Sequence, residues 1–304
     1  MTKVLAGSSH HVLSFMRQNL TALLQISLLP IAIFALSFIL QMVMMRGLMA
    51  DLLALQGGAT VDPAQLAPMF RAQGLMFAAG LPGMIAYAWF YVRIVRLYAL
   101  GEMEWLGLSA ATVKATLMTL VYGIGIYMLT MIVYLVLLIA VIIPVAIIAA
   151  LAGSSAAAVG LIVAIAFAGI VAAMLILIWF SCRLFAGLPA VALGASPDFM
   201  KDMWRLTAGE SWGLPLRLIA SQLLMLILSA PFLGYLAWRF FSEVQNGVVA
   251  SPDGALPPAF LLDLIDNTMP LWALFAVFYV PWFWFTALLF AEVFSRFKQR
   301  PATM

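Results

Sequence analysis

Six unbroken apolar runs, at residues 20–46, 74–98, 115–151, 155–182, 213–238 and 270–292, dominate the chain. Each is long enough for the roughly 20 residues that a helix needs to cross a hydrocarbon core of about 30 Å. Inside a bilayer every backbone N–H and C=O must find its partner within the protein, which leaves helices or a closed barrel. Barrel strands alternate apolar and polar residues, and these runs do not. The expected fold is all-α: a polytopic membrane protein with six transmembrane helices, forming one integral membrane domain over residues 1–304. Only 9% of the residues are charged and the mean hydropathy is +1.12, against about a quarter charged in a soluble domain.

An even number of crossings puts both termini on one side. Twelve of the fifteen Lys and Arg residues then fall on that side, among them Arg17, Arg93, Arg96, Lys114, Arg183, Lys201, Arg205, Arg217 and Arg296. Only Arg46, Arg71 and Arg239 stand opposite, while the twelve acids divide evenly. A bias confined to cations is the signature of cytoplasmic loops, so both termini are expected in the cytoplasm. The pI near 9.1 follows from this bias and does not imply a nucleic-acid partner. Met1–Asn19 is too polar, and the first apolar run too long, for a cleavable signal peptide. The single cysteine, Cys182, excludes an intrachain disulfide or a cysteine cluster.

Internal similarity divides the chain into units of approximately 1–100, 101–187 and 188–304. Gly7-Ser8-Ser9, Gly107-Leu108-Ser109 and Gly194-Ala195-Ser196 open three basic-side segments alike, each offering a Ser to cap a following amphipathic helix. The apolar face would be Val12, Leu13, Phe15 and Met16 in the first copy, and Thr112, Val113, Thr116 and Leu117 in the second. In the third it would be Phe199, Met200, Met203 and Trp204. A second mark recurs at identical spacing: Trp89 with Arg93 and Trp179 with Arg183, echoed by Trp284-Phe285. Trp89, Arg93, Trp179, Arg183, Trp204 and Arg205 are the expected membrane-boundary anchors. Outside the spans, Asp62-Pro63 should start a short helix through Arg71. Gly153-Ser154-Ser155 should form a tight turn, and Gly247–Asn267 an irregular acidic loop.

No Asp, Glu, Lys, Arg or His occurs within 22–45, 74–92, 115–150, 154–182, 218–238 or 270–291. Proton relays and ion-coupled transporters need such groups at depth, so those classes are disfavoured. Gln25, Gln41 and Gln222 remain as candidates for a polar path or lipid contact, or as interhelical hydrogen-bonding groups. The only histidines, His10 and His11, are adjacent and lack metal-ligand spacing. No catalytic acid, base and nucleophile set, zinc motif or phosphate loop is present, so neither a metal nor a cofactor is expected. Ala156, Gly160, Ala164, Ala168 and Ala172 form a small-residue stripe suited to close helix contact, within the chain or with a partner subunit. Pro30, Pro82, Pro144, Pro215, Pro231 and Pro281 should kink the spans. Trp282, Trp284 and Phe285 belong to an aromatic run too wide to face wholly inward, and are the candidate partner or lipid surface.

Arg183-Leu184-Phe185 through Pro189-Ala190, followed by Met203-Trp204-Arg205-Leu206-Thr207-Ala208-Gly209-Glu210-Ser211-Trp212, resembles a passage of bacterial six-helix inner-membrane proteins. These include the YciC-like proteins and the membrane domain that precedes some glycerophosphodiester phosphodiesterases. The stretch from Pro281 to Leu288-Leu289-Phe290-Ala291-Glu292-Val293-Phe294-Ser295-Arg296 is similar to their final helix. It carries Phe290 for the usual Tyr, and Ala291-Glu292 for an acidic pair. The resemblance implies a fold and a bacterial inner-membrane location; no phosphodiesterase domain is present, so that activity does not transfer. Two functions stay open. One is a non-enzymatic module that binds membrane lipids or another membrane protein in an accessory or envelope role. The other is a facilitator for a lipid or small amphiphile.

Overall fold

The protein, represented by a computed structural model, is described at residues 2–55, 63–104, 107–152, 156–194, 207, 212–250 and 280–295. Among the described residues all regular structure is helical. The helices are α1 (Thr2–Gln18), α2 (Leu20–Leu55), α3 (Pro63–Leu100), α4 (Ala110–Ala152), α5 (Ala156–Phe185), α6 (Leu188–Ala192), α7 (Gly213–Ala250) and α8 (Val280–Ser295). Four stretches within them are long and apolar enough to cross a membrane: Leu20–Leu48, Phe70–Leu100, Ala110–Ile148 and Ala164–Ala192. The fifth expected run begins α7, and the sixth is described only from Val280 onward, as the shorter apolar helix α8.

α2 and α3 pair as an antiparallel hairpin, because contacts that move up α2 move back along α3. Arg93 meets Ile26, Gly83 meets Ser37, and Met76 meets Gln41. Two glycines allow the close approach. A Cβ on Gly83 would lie 2.9 Å from Ser37 Oγ, and one on Gly80 would collide with the Gln41 side chain. Ser37 threads into the α3 ladder itself, accepting from the Gly83 N–H at 3.2 Å and donating to the Ala79 carbonyl at 2.5 Å. Such an insertion is one of the recognised causes of a bend, and it lies beside Pro82. Next in order, α3 packs on α4, α4 on α5, α6 against α3 and α4, and α5 on α7.

The core gathers at the Arg-bearing end. Leu23 and Ile26 of α2, Val92, Ile94 and Val95 of α3, and Leu184 of α5 are almost wholly buried around Leu288 of α8. Helix α8 sits inside this cluster: Phe283 stacks on Phe90 at 4.8 Å between ring centroids and meets Tyr87 edge-on at 4.5 Å. Farther from it, α4 turns Leu135, Val136, Ile139, Ile142 and Ile143 outward. In water, contiguous apolar surface on this scale would be a liability at about 25 cal/mol per Å². Hydrocarbon removes that cost.

Several expectations change. Helix α1 runs through Ser8 and Ser9, so these residues lie inside the helix and do not cap it. Its buried face is Val12, Phe15 and Met16, with Phe15 edge-on to Tyr98 at 4.8 Å; Leu13 points outward. In the second copy Ser109 does cap α4, accepting from the Thr112 N–H. There Thr112 and Thr116 are buried while Val113 and Leu117 are exposed. The third copy, with Trp204 and Arg205, lies outside the described residues, as does Gly153-Ser154-Ser155. Pro63 starts no separate short helix, since α3 continues unbroken from it to Leu100. The expected loop from Gly247 begins as the last turn of α7, which reaches Ala250; its remainder lies outside the described residues. On α5 the close contact with α4 is made by Gly169, whose Cβ would lie 3.0 Å from Val141 Cγ1. Ala164, Ala168 and Ala172 of the small-residue stripe are exposed. The contact face is therefore one position round the helix from the stripe.

Candidate functional site

Two arrangements combine polar groups with unusual surroundings: a junction at the Arg-bearing end and a cavity above it. The junction starts from Pro30 in α2, which has no N–H to give to the carbonyl four residues earlier. That carbonyl belongs to Ile26, and Arg93 Nη1 donates to it at 2.8 Å. Arg93 Nη2 donates to the Glu104 carbonyl at 2.7 Å, and the guanidinium lies 5.3 Å from the Trp89 ring centroid. Trp89 Nε1 donates to the Gly107 carbonyl at 3.3 Å. Gly107 holds a positive φ of 57°, and a Cβ there would lie 3.0 Å from Arg93 Cδ and 3.1 Å from Trp89 Nε1. Glycine thus meets both the backbone conformation and the space at this position. The two sequence marks, Trp-x-x-x-Arg and Gly-Leu-Ser, are one contact in this unit.

Arg93 is buried, so it is more than an anchor reaching toward headgroups. The second anchor pair repeats the local geometry: Arg183 lies 4.3 Å from the Trp179 ring centroid and is also buried. Near the first pair, Arg96 forms an ion pair with Glu102 at 2.6 Å. Hydrogen bonding from Ser109 holds the Glu104 carboxyl below the usual range, helped by Thr112 and the Arg96 charge against some desolvation. The gap among Arg93, Arg96, Glu104 and Thr112 measures about 10 Å³, room for one water. The junction is a structural clasp rather than a ligand pocket.

Helix α8 is pinned to the same turn of α2. Trp284 Nε1 donates to Ser27 Oγ at 2.9 Å, while Ser27 donates to the Leu23 carbonyl. Trp284 is only 3% exposed, Phe283 is buried and Phe285 packs against the core. The expected contact surface is therefore narrowed: Trp284 faces the core and Phe285 packs against it, while Trp282 lines the cavity described below. Trp282 is half-buried and donates to Ser221 Oγ of α7 at 3.3 Å.

Above this core the helices part around a cavity of about 1210 Å³, lined from α2, α3, α4, α5, α6, α7 and α8. Its wall includes Phe34 and Phe38 of α2, Phe77 and Met84 of α3, Tyr127 and Met128 of α4, and Phe185 and Phe290 at its base. Among the described residues that line it, none is Asp, Glu, Lys, Arg or His. Along α3 the lining runs from Tyr91 to Phe77, about 21 Å at the helical rise. The cavity therefore covers most of one membrane crossing.

The glutamines separate on this geometry. Gln41 and Gln222 line the cavity, whereas Gln25 is exposed and does not. Gln41 Nε2 also donates to the Met76 carbonyl at 3.3 Å, so it is an interhelical hydrogen-bonding group as well. Sequence inspection passed over Tyr91 and Thr119. Tyr91 is 6% exposed and Thr119 4%, both line the cavity, and among the described residues neither hydroxyl has a hydrogen-bond partner. Their polarity within apolar runs was the available signal, the same one that drew attention to the glutamines. His10 and His11 are exposed on α1, far along the chain from any of these groups. No protein-family model, curated protein or solved structure matches the chain.

Proposed function

We propose that this chain is a multi-pass inner-membrane module without catalytic activity that holds a lipid among its helices. Six crossings in three tandem units, with both termini cytoplasmic, complete the proposal. The observation that carries it is the cavity of about 1210 Å³, with no charged side chain among its described lining residues. Pockets for drug-sized ligands measure about 300–1,000 Å³, so this one has room for long hydrocarbon. Among the described residues its mainly apolar wall offers no charge for a soluble metabolite, and its extent along α3 is on the scale of a bilayer. The cation bias supports the topology. The bacterial location and the accessory or envelope role rest on the resemblance to the YciC-like proteins.

Gentle extraction followed by native mass spectrometry tests this function. A lipid retained by the otherwise lone protein is the expected result; a stoichiometric protein partner with no lipid would move the role to protein scaffolding. A reporter fused after Arg300 should be active only in the cytoplasm. A second reading, a facilitator for a lipid or small amphiphile, draws on Gln41 and Gln222 standing together on the cavity wall. Replacing both with Leu should abolish transport on that reading, and transport that survives would exclude a glutamine-lined path.

A further inference from the structure

Between Lys114 and Arg183 the sequence has no Asp, Glu, Lys, Arg or His, and this interval holds most of α4 and nearly all of α5. Residues 115–152 of α4 alone measure about 57 Å at the helical rise, against a hydrocarbon core of about 30 Å. The neighbouring α3 covers only about 33 Å between Arg93 and Arg71. Both helices start from one end, because Gly107, just before α4, accepts a hydrogen bond from Trp89 of α3. Standing parallel to α3, α4 would carry Ile147, about 50 Å beyond Lys114, roughly 17 Å past the level of Arg71. Yet no described residue of α4 after Ile126 is buried. The exposed ones, Leu135, Val136, Ile139 and Ile143 among them, spread over more than half of the helix circumference. A protein partner would cover one face, whereas hydrocarbon covers all of them.

The register of α4 on α5 gives the direction of the extra length. A Cβ on Gly169 would meet Val141, and Leu184 gathers with Ile126 in one buried cluster. In this antiparallel pairing Arg183 is level with Tyr127, about 20 Å along α4 from Lys114. Two cations of the same boundary can be that far apart on one helix only if the helix leans. About 57 Å of apolar helix fits a core of about 30 Å at roughly 60° from the membrane normal, well beyond the usual lean of about 20°. Burial on α4 stops at Ile126, so α3 does not hold the far half upright. Resting on the membrane topology proposed above, we infer that the α4–α5 hairpin is a lipid-covered arm. It leans away from α3 so that its far end stays in hydrocarbon, and bilayer thickness sets its inclination.

The test uses the full-length protein carrying Cys182→Ala and one new cysteine, either Ile147→Cys or Phe167→Cys, both at exposed positions. Each bears a nitrobenzoxadiazole fluorophore in phosphatidylcholine vesicles, and Arg71→Cys, also exposed, marks the aqueous boundary. Iodide should quench the Arg71 probe but not the other two, which brominated acyl chains should quench instead. Iodide quenching at Ile147 and Phe167 would overturn the inference, because the arm would then stand in water. Shielding from both quenchers would overturn it in favour of a protein partner, a second copy included. Spin labels at Arg71 and Ile147 read the response to thickness: their separation should shift between dimyristoleoyl- and dierucoyl-phosphatidylcholine, and an unchanged distance would overturn a thickness-set inclination. None of these readouts depends on lipid in the cavity, so the arm can fail while the lipid-holding function stands. Release of the protein from the vesicles by alkaline carbonate would overturn both.

Discussion

Arg93 donates to the carbonyl of Ile26 at 2.8 Å, and Ile26 stands four residues before Pro30. The proline that removes a hydrogen bond from α2 is answered by a guanidinium from α3. Because Ser27 and Trp284 meet on the same turn, one defect in one helix organises the docking of two others. Tolerance of proline in membrane helices depends on such substitutes for the missing donor.

The relationship predicts coupling. Arg93→Met should lower stability by about 3 kcal/mol, as two charge-assisted hydrogen bonds are lost from a buried site. Adding Pro30→Ala should shrink that penalty by about 1 kcal/mol, since an alanine in place of the proline supplies the N–H that the Ile26 carbonyl lacks. A double-mutant cycle on thermal unfolding in detergent measures this term; simple additivity would mean that Arg93 does not stand in for the missing donor.

Gly83→Ala should destabilise by about 1–3 kcal/mol, because its Cβ would lie 2.9 Å from Ser37 Oγ and force the hairpin apart. Gly123→Ala is the contrasting case. Nothing lies within 4 Å of a Cβ there, so stability should hold or rise by up to about 1 kcal/mol from helix propensity. The melting temperature should therefore fall in Gly83→Ala and stay level or rise in Gly123→Ala.

Trp284→Ala should cost about 3–5 kcal/mol, and Trp284→Phe about 1 kcal/mol through the lost bond to Ser27. Trp238, 62% exposed on α7, should tolerate Ala with a small change. Equal effects at Trp284 and Trp238 would contradict the central position of α8.

Legibility in the sequence followed the range of the interaction. The spacing of Trp89 with Arg93 and of Trp179 with Arg183 was readable because residues four apart share a helix face. Their targets were not, since the Ile26 and Glu104 carbonyls carry no side-chain signature. Ser109 as a cap was local and visible, whereas Ser9 looked identical and fell inside a helix that starts earlier. The aromatic density of α8 was plain, yet its placement among four other helices is a long-range fact. The same holds for the cavity, whose wall gathers side chains from seven helices. Gln41 and Gln222 hinted at it, while Gln25, equally conspicuous in the sequence, lies on the outside.

The α3–α4 connection should be acid-sensitive. Ser109 and Thr112 keep the Glu104 carboxyl ionised below its ordinary range. A depressed folded value means that the contribution is complete above the unfolded value of 4.5 and drains away as pH falls through it toward the folded one. Ser109→Ala should raise the Glu104 titration toward the ordinary value, followed by NMR of the labelled side chain. It should also cost about 1 kcal/mol as the α4 cap is lost. A titration unmoved by the substitution would remove Ser109 as the cause.

Filling the cavity addresses its proposed role most directly. Gly123 lines it with open space beyond its Cα, so Gly123→Trp should project a large ring into the volume that a lipid would occupy. Native mass spectrometry of wild-type and Gly123→Trp protein, extracted identically and matched for helical content, gives the comparison. The wild type should carry a tightly held lipid that the variant has lost. Lipid retained by Gly123→Trp at the wild-type level, or absent from the wild type itself, would contradict a lipid-holding cavity.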